Sequence, residues 1–414
     1  MVKVAVLGYG TIGSGVVQVL NTSKDIVTRN AGTEVEVKYV LDLRDFPGDP
    51  VEEILVHDYA RIVNDPEVDI VVEVMGGTHP AYEFVKDALL KGKNVCTSNK
   101  ALVAEFGPEL VRIAREKSVN FLFEASVGGG IPIIRPMSQC LAANDVVEIA
   151  GILNGTTNFI LTKMIKDHMS FEDALKMAQE LGYAERNPAA DVEGHDACRK
   201  IAILASLAYG KHIYPELVHT QGITKITLED VAYAASWGGV IKLIGQVKRL
   251  EDGKLDISVE PMLIDSSSQL AGVDDVFNGI LVKGDATGDV VFYGKGAGKL
   301  PTASAVVADI IDCVKHLKAR KYLYWADGDA SLVKPYEETE YPVYIRLESD
   351  DKTKASEKVL ELFPGAKVIA RTNAPENEIA FTTGSISVSE SDKAIAELEK
   401  NGISVKSKIR ISDL

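Results

Sequence analysis

Val2-Lys3-Val4-Ala5-Val6-Leu7 runs directly into Gly8-Tyr9-Gly10-Thr11-Ile12-Gly13, and this stretch decides the fold. The first six residues are nearly all apolar and read as a buried strand. The glycines come where that strand would end, and from Ile12 to about Leu20 the pattern turns helical. Strand, glycine turn and helix in that order are the context in which G-x-G-x-x-G holds a dinucleotide. Gly8 permits the tight turn, Gly10 lets the backbone approach a pyrophosphate, and Gly13 lets helix and strand pack closely. The opening of the helix, Thr11 and Ile12, offers free N–H groups and a favourable dipole to the anion.

Working outward, short apolar runs at Val35–Leu41, 70–74, 94–96 and 120–123 read as further strands. Helical patterns lie between them, for instance at Ala81–Leu90 and 108–116. Near-continuous apolar strands separated by helices imply a parallel sheet covered on both faces. The fold class is therefore α/β, a doubly wound parallel sheet of Rossmann type over 1–130, completed by a return at about 295–320. A mixed α+β unit, 131–294, follows with strands at 145–153 and 254–263 and helices at 171–181 and 197–209. It is read as the substrate, catalytic and dimerisation domain. After a glycine-rich return at 293–297 and a helix at 302–317, a polar connector at 327–340 leads to a third unit, 341–414. Strands at 341–348, 367–371, 378–386 and 404–411 with helices at 354–362 and 392–400 give β-α-β-β-α-β, a ferredoxin-like order.

The chain has 414 residues, enough for two to three cores. Its 45 Lys and Arg against 60 Asp and Glu give a net charge of −15, which argues against nucleic acid or an anionic membrane as partner. The N-terminus lacks the features of a secretory signal, and no apolar window is long enough to span a bilayer. Cys96, Cys140, Cys198 and Cys313 are scattered, which suits reduced thiols and a cytoplasmic protein. His79, His195 and the other histidines show no metal-ligand spacing.

At the cofactor end Asp42 lies 29 residues past Gly13, slightly late for the acid that holds an adenosine ribose. Arg44 is an equally good partner for a 2′-phosphate, so NADP or NAD stays open here. Farther on, Asp196 and Lys200 are four apart on one helix face. An ordinary surface ion pair would explain them, but they follow an acidic loop containing Glu185, Asp191 and Glu193. Alcohol oxidation by hydride transfer needs a group to take the hydroxyl proton, and a lysine serves when burial lowers its pKa.

Gly-Ile-Leu-Asn-Gly-Thr-Thr-Asn-Phe-Ile-Leu at 151–161, Leu-Gly-Tyr-Ala-Glu at 181–185, His-Asp-Ala-Cys-Arg-Lys at 195–200 and Thr-Ser-Asn-Lys-Ala at 97–101 together resemble the homoserine dehydrogenases. The resemblance covers about residues 2–320. It implies interconversion of L-homoserine and L-aspartate 4-semialdehyde with a nicotinamide cofactor, in threonine, methionine and isoleucine biosynthesis. Lys200 then resembles the proton donor and acceptor at the reacting oxygen, and Lys100 the lysine near both nicotinamide and substrate. Asp196 and Glu185 resemble substrate-binding carboxylates, with Asp191 and Tyr183 lining the same pocket. Gly155 and Thr156 would offer donors to substrate, although a helix N-cap explains Thr156 almost as well. The resemblance adds Gly77, Thr78, Ser98 and Gly298 to the cofactor contacts. Residues 124–132 resemble a monovalent cation loop, in which Glu124, Val127, Gly129 and Ile131 would present mainly carbonyl oxygens to sodium. A homodimer or higher homo-oligomer is implied by the resemblance alone.

The C-terminal unit resembles an ACT domain, an amino-acid-sensing module, and makes threonine the first effector to test. Its first strand-to-helix loop, Ser349-Asp350-Asp351-Lys352-Thr353, lacks the glycine usual where backbone meets ligand. A dimerisation or packing role therefore stands beside effector binding. Two rivals to the main reading are another amino-acid-linked dehydrogenase and a non-catalytic regulator that binds nucleotide and amino acid. Lys100, Asp196 and Lys200 together disfavour the regulator.

Overall fold

The computed structural model describes residues 1–319, 323 and 325–414; the last residue of the 295–320 return thus lies outside the described residues. β1 (Val2–Leu7) is buried at every position but Lys3, which is half-buried. After it come α1 (Thr11–Thr22), α2 (Lys24–Ala31), β2 (Val35–Leu41), β3 (Leu55–Val56), α3 (Ala60–Val63) and β4 (Ile70–Glu73). α4 (Ala81–Leu90), β5 (Asn94–Thr97), α5 (Lys100–Glu116) and β6 (Phe121–Leu122) complete the first layer. The six strands are parallel and lie in the order β3-β2-β1-β4-β5-β6. Strand order reverses between β1 and β4, the crevice at whose carboxyl ends such sheets bind ligands.

One helix is longer than its sequence suggests. The pattern predicts a start at Pro108, yet α5 begins at Lys100 and carries Pro108 inside it. The Asn99 side chain caps the start by accepting the Leu102 N–H at 3.1 Å. Proline cannot donate to the carbonyl four residues back. The Ala104 carbonyl instead meets Nε2 of buried His212 at 3.0 Å, so the helix continues without a stranded acceptor.

The central region holds β7 (Val146–Ile152), α6 (Gly155–Asp167), α7 (Phe171–Glu180), α8 (Ala189–Val192), α9 (His195–Tyr209), β8 (His219–Thr220) and α10 (Leu228–Trp237). Then come β9 (Gly239–Arg249), β10 (Leu255–Asp265), β11 (Phe277–Gly284), β12 (Gly288–Lys295) and α11 (Lys299–Lys315). β9 and β11 extend the two strands that the sequence alone marks out in this region. α11 returns to the first layer, where Ala303, Val306, Val307 and Ile310 share a core with Val16, Val17 and Leu20 of α1.

The C-terminal stretch contains β13 (Glu340–Tyr341), β14 (Val343–Glu348), α12 (Lys352–Leu362), β15 (Lys367–Ile369), β16 (Glu378–Thr382), β17 (Ile386–Ser387), α13 (Val388–Lys400) and β18 (Ser404–Ser412). The strand expected over 341–348 is interrupted at Pro342, which has no N–H for a ladder, and its first residue, Tyr341, pairs with β17 instead. This stretch has its own apolar core, including Ile345, Leu347, Val359, Phe363, Phe381 and Leu398. Its strands nevertheless continue the central sheet, in the order β12-β11-β7-β9-β10-β18-β14-β16-β15. Met262–Ile264 of β10 runs parallel to Arg410–Ser412 of β18. Buried Arg346 donates to Asp230 at 2.8 Å, an ion pair across the same seam, and to Glu378 at 3.2 Å within the unit, while the Tyr233 hydroxyl crosses the seam to Glu378 at 2.9 Å. Among the described residues no helix is long and apolar enough to cross a membrane.

Candidate active site

The cofactor end follows from local sequence. Gly8 adopts φ +98°, and a Cβ on Gly13 would lie 1.9 Å from the Gly8 carbonyl oxygen. Helix α1 starts at Thr11 after Gly10, which has no side chain to cap its first N–H groups. A Cβ on Gly10 would meet open space, which leaves the backbone approachable from outside. The chain therefore presents an uncapped helix N-terminus over a glycine turn, and these residues fit a dinucleotide pyrophosphate. Asp42, at the tip of β2, accepts the Tyr9 N–H at 2.8 Å and is gripped by Nε and Nη2 of Arg44 at 3.0 Å each. Arg44 holds the Asp42 carboxyl well below the usual carboxylate range, burial opposing it. The Arg44 side chain itself is exposed. Gly77 and Thr78 lie in the loop after β4; the Gly77 carbonyl accepts Nδ2 of Asn99 at 2.6 Å, and that of Thr78 the Tyr82 N–H.

From this end a cleft of about 680 Å³ runs between the sheets. Ile12, Ser98 and Gly298 line it on the cofactor side, and Lys100, Gly155, Thr156, Tyr183, Glu185, Asp191, Asp196 and Lys200 line the rest. Residues from five separate stretches of sequence thus share one space.

At its centre Asp196 bridges two lysines. The Lys200 Nζ donates to Asp196 Oδ2 at 2.8 Å and to the Leu153 carbonyl at 2.7 Å. The Lys100 Nζ stands 2.6 Å from Asp196 Oδ1. Burial lowers the pKa of Lys200, with repulsion from Lys100 adding to it and attraction to Asp196 opposing it. Burial disfavours charge on Asp196, but the two ammonium groups outweigh that and hold its carboxyl below the usual range. An ammonium has three N–H donors, and Lys200 spends two on Asp196 and Leu153. Its third position remains for a group in the cleft.

Asn154 carries no role in the sequence reading, yet it organises this cluster. Its Oδ1 caps α6 by accepting the Thr157 N–H at 2.9 Å, while its Nδ2 donates to Asp191 at 2.7 Å and to Asp196 at 2.9 Å. The signal was an Asn immediately before a helical run, a standard capping position. Thr156 is therefore not the cap; its hydroxyl donates to the Tyr183 carbonyl at 2.7 Å. Burial raises the Asp191 pKa, with the Asn154 amide opposing. Tyr183 and Glu185 are exposed at the mouth, Tyr183 packed edge-on against Phe159.

The 124–132 loop lies against the same cleft through Val127 and Gly129. The Glu124 carboxylate accepts the backbone N–H groups of Ile133, Ile134 and Arg135 at 2.6 to 2.8 Å, so its side chain is committed to the chain. Among the described residues no hydrogen bond is accepted by the carbonyls of Val127, Gly129 or Ile131. Oxygen donors of this kind fit a hard monovalent cation.

A dinucleotide cradle that opens onto a buried lysine with a lowered pKa and one free position defines a nucleotide-dependent oxidoreductase. Residues 132–311 match the family model described as homoserine dehydrogenase, and residues 8–124 that described as homoserine dehydrogenase, NAD binding domain. The homoserine dehydrogenase of Bacillus subtilis (strain 168) is 42% identical over 324 residues, 77% of this chain and 74% of that one. A crystal structure of a homoserine dehydrogenase from Thiobacillus denitrificans superposes with a TM-score of 0.89 at 36% identity, covering 100% of this chain and 98% of that one. A hyperthermophilic archaeal homoserine dehydrogenase solved in complex with NADPH matches with a TM-score of 0.64 at 28% identity, covering 75% of this chain and 97% of that one. The chain belongs to the homoserine dehydrogenases, NAD(P)-dependent oxidoreductases.

Proposed function

We propose that Lys200 moves the proton in the interconversion of L-homoserine and L-aspartate 4-semialdehyde, with Asp196 holding it and Lys100 beside the reacting oxygen. The bound nicotinamide supplies or takes up the hydride. In reduction the Lys200 ammonium gives a proton to the aldehyde oxygen as the alcohol forms. In oxidation neutral Lys200 keeps two N–H bonds, to Asp196 and Leu153, and receives the hydroxyl proton on its lone pair. The observation that carries this reading is the single uncommitted position of Nζ on the cleft wall. Consumption of reduced nicotinamide with the semialdehyde, read by absorbance, tests the activity against both rivals.

Asp196 Oδ2 is taken by Lys200 and Asn154 while Oδ1 faces Lys100, so Glu185 and Asp191 are read as meeting the substrate ammonium together with Asp196 Oδ1. Glu185→Gln is expected to raise the homoserine KM more than it lowers kcat, because that attraction is present in ground and transition states alike. An unchanged KM in steady-state assays removes Glu185 from the substrate site.

Arg44 is read as the partner of a 2′-phosphate, since its guanidinium is exposed and only its Nε and Nη2 are spent on Asp42. NADP is accordingly the first nucleotide to test and NAD the second. Sodium at the 124–131 loop is supported by the undonated carbonyls of Val127, Gly129 and Ile131. The reading divides the chain into 1–130 with the 295–320 return, 131–294, and 341–414. A homo-oligomer is supported by the outermost strand β12, which exposes Val291 and Tyr293. A cytoplasmic setting accords with four free cysteines.

The ACT-type C-terminal unit is read as a clamp on the central sheet rather than a threonine sensor at its first loop. Asp351 fills the N-cap of α12, accepting the Lys354 N–H at 3.0 Å, and places a negative charge where an effector carboxylate would dock. Calorimetric titration of the full chain with millimolar threonine is expected to give no heat, with activity unchanged. Heat with inhibition restores the sensor, since linkage then couples the two sites.

A further inference from the structure

Glu73 closes β4 and is fully buried, although no part of the proton-transfer scheme uses it. Its Oε1 accepts the Met75 N–H at 2.8 Å, and its Oε2 accepts the Thr97 hydroxyl at 2.6 Å. Thr97 Oγ1 in turn accepts the Asn99 N–H at 2.9 Å. The Asn99 amide then spans the gap: Nδ2 stands 3.5 Å from Glu73 Oε1 and 2.6 Å from the Gly77 carbonyl, and Oδ1 caps α5. The next residue is Lys100, whose Nζ reaches Asp196. One carboxylate therefore joins the 75–77 loop, at the carboxyl end of a strand beside the cofactor turn, to the turn that delivers Lys100. β4 and β5 are parallel neighbours with Glu73 opposite Thr97, which is why a contact 24 residues apart is fixed so tightly.

We propose that Glu73 is a positioning residue that couples the cofactor-side loop to Lys100, so that the two take up their working places together. It touches neither the lysine nor the cleft; it acts through Thr97 and Asn99. Buried polar networks of this kind hold geometry well when every member is satisfied. A small displacement of a catalytic group can cost about 10²-fold in rate. The inference rests on the placement of Lys100 beside the reacting oxygen.

Two variants test it. Glu73→Gln keeps the shape but replaces one acceptor with a donor, so either the Thr97 hydroxyl or the Met75 N–H loses its partner. Thr97→Val keeps the buried carboxylate and removes the hydroxyl that links it to Asn99. Both are expected to lower kcat by about 10- to 100-fold and to raise the cofactor KM several-fold, with unfolding still cooperative though at a lower temperature. The pH profile supplies a readout that a loss of folded protein does not move. Lys200 faces Asp196, Asp191 and Lys100, and of these Lys100 pushes its pKa down. Loosening Lys100 lets the Lys200 pKa rise, so the acid limb of homoserine oxidation moves to higher pH. Thr97→Ser is expected to restore the wild-type profile. Should Glu73→Gln not fold, Thr97→Val with its serine rescue decides the matter alone. Lowered activity with an unchanged profile and unchanged cofactor KM overturns the proposal, as does a Thr97→Val enzyme of wild-type behaviour. Lys100→Met run alongside separates the two readings: full turnover in that variant sinks the role of Lys100, whatever Glu73 does.

Discussion

Lys200→Ala is expected to lose about 10²–10⁴-fold in kcat, the usual contribution of a general acid–base group, while cofactor affinity stays near wild type. The side chain is buried, bonded to Asp196 and to the Leu153 carbonyl, and distant in sequence from the glycine turn that carries the nucleotide. On the proposed role, its loss removes the proton acceptor and leaves the cradle intact. Lys200→Arg is expected to be nearly as severe in oxidation, because a guanidinium stays protonated and cannot take the hydroxyl proton. The sign of the wild-type pH dependence follows from the same residue. Oxidation needs the neutral amine, so its rate rises with pH through the lowered Lys200 pKa; reduction needs the ammonium and falls through it. Steady-state rates in both directions and a fluorescence titration of the reduced cofactor check this. A Lys200→Ala enzyme with more than about half the wild-type kcat, against the losses expected of such a group, rules the assignment out.

How much of this was legible depended on how local the signal was. β1 with its glycine turn, and the Asp196 and Lys200 pair, could be read because a strand's burial and a helix face are written in a few consecutive residues. The Lys100 to Asp196 bridge and the Glu73 to Thr97 bond were hidden, since each joins stretches that only the folded sheet brings together. β9 was hidden for another reason. Lys242, Gly245 and Gln246 break its apolar run, yet all three are buried. The Lys242 ammonium donates to the Val273 carbonyl at 2.6 Å, and a Cβ on Gly245 would stand 3.0 Å from Leu153. Such residues look like a loop until their partners are known. The C-terminal unit showed its internal order in the sequence, but not that β18 would extend the central sheet, because edge pairing leaves no periodicity of its own.

Asp196→Asn is expected to rank with Lys200→Ala in severity, and its effect should differ between the two directions. The carboxylate is buried and sits between two ammonium groups, 2.6 Å from Lys100 and 2.8 Å from Lys200. Removing one partner of a buried ion pair typically costs about 3–5 kcal/mol. The half-exposed Lys100 can turn to solvent, so the penalty falls mainly on Lys200. That lysine loses the attraction that raises its pKa while burial continues to lower it. Its neutral form is then favoured at lower pH than in the wild type. The acid limb of oxidation therefore moves down, opposite to the shift expected of Thr97→Val. Reduction suffers more, because at neutral pH less Lys200 remains protonated to supply the aldehyde oxygen. A loss of about 10³-fold or more in kcat/KM for the semialdehyde fits a misplaced and discharged general acid. Asparagine can still accept one N–H bond, so the cofactor cradle and the helix α9 that carries both residues should stay in place. Paired pH profiles in the two directions provide the check: equal losses with unshifted limbs would mean that Asp196 supports the fold and does not set the charge on Lys200.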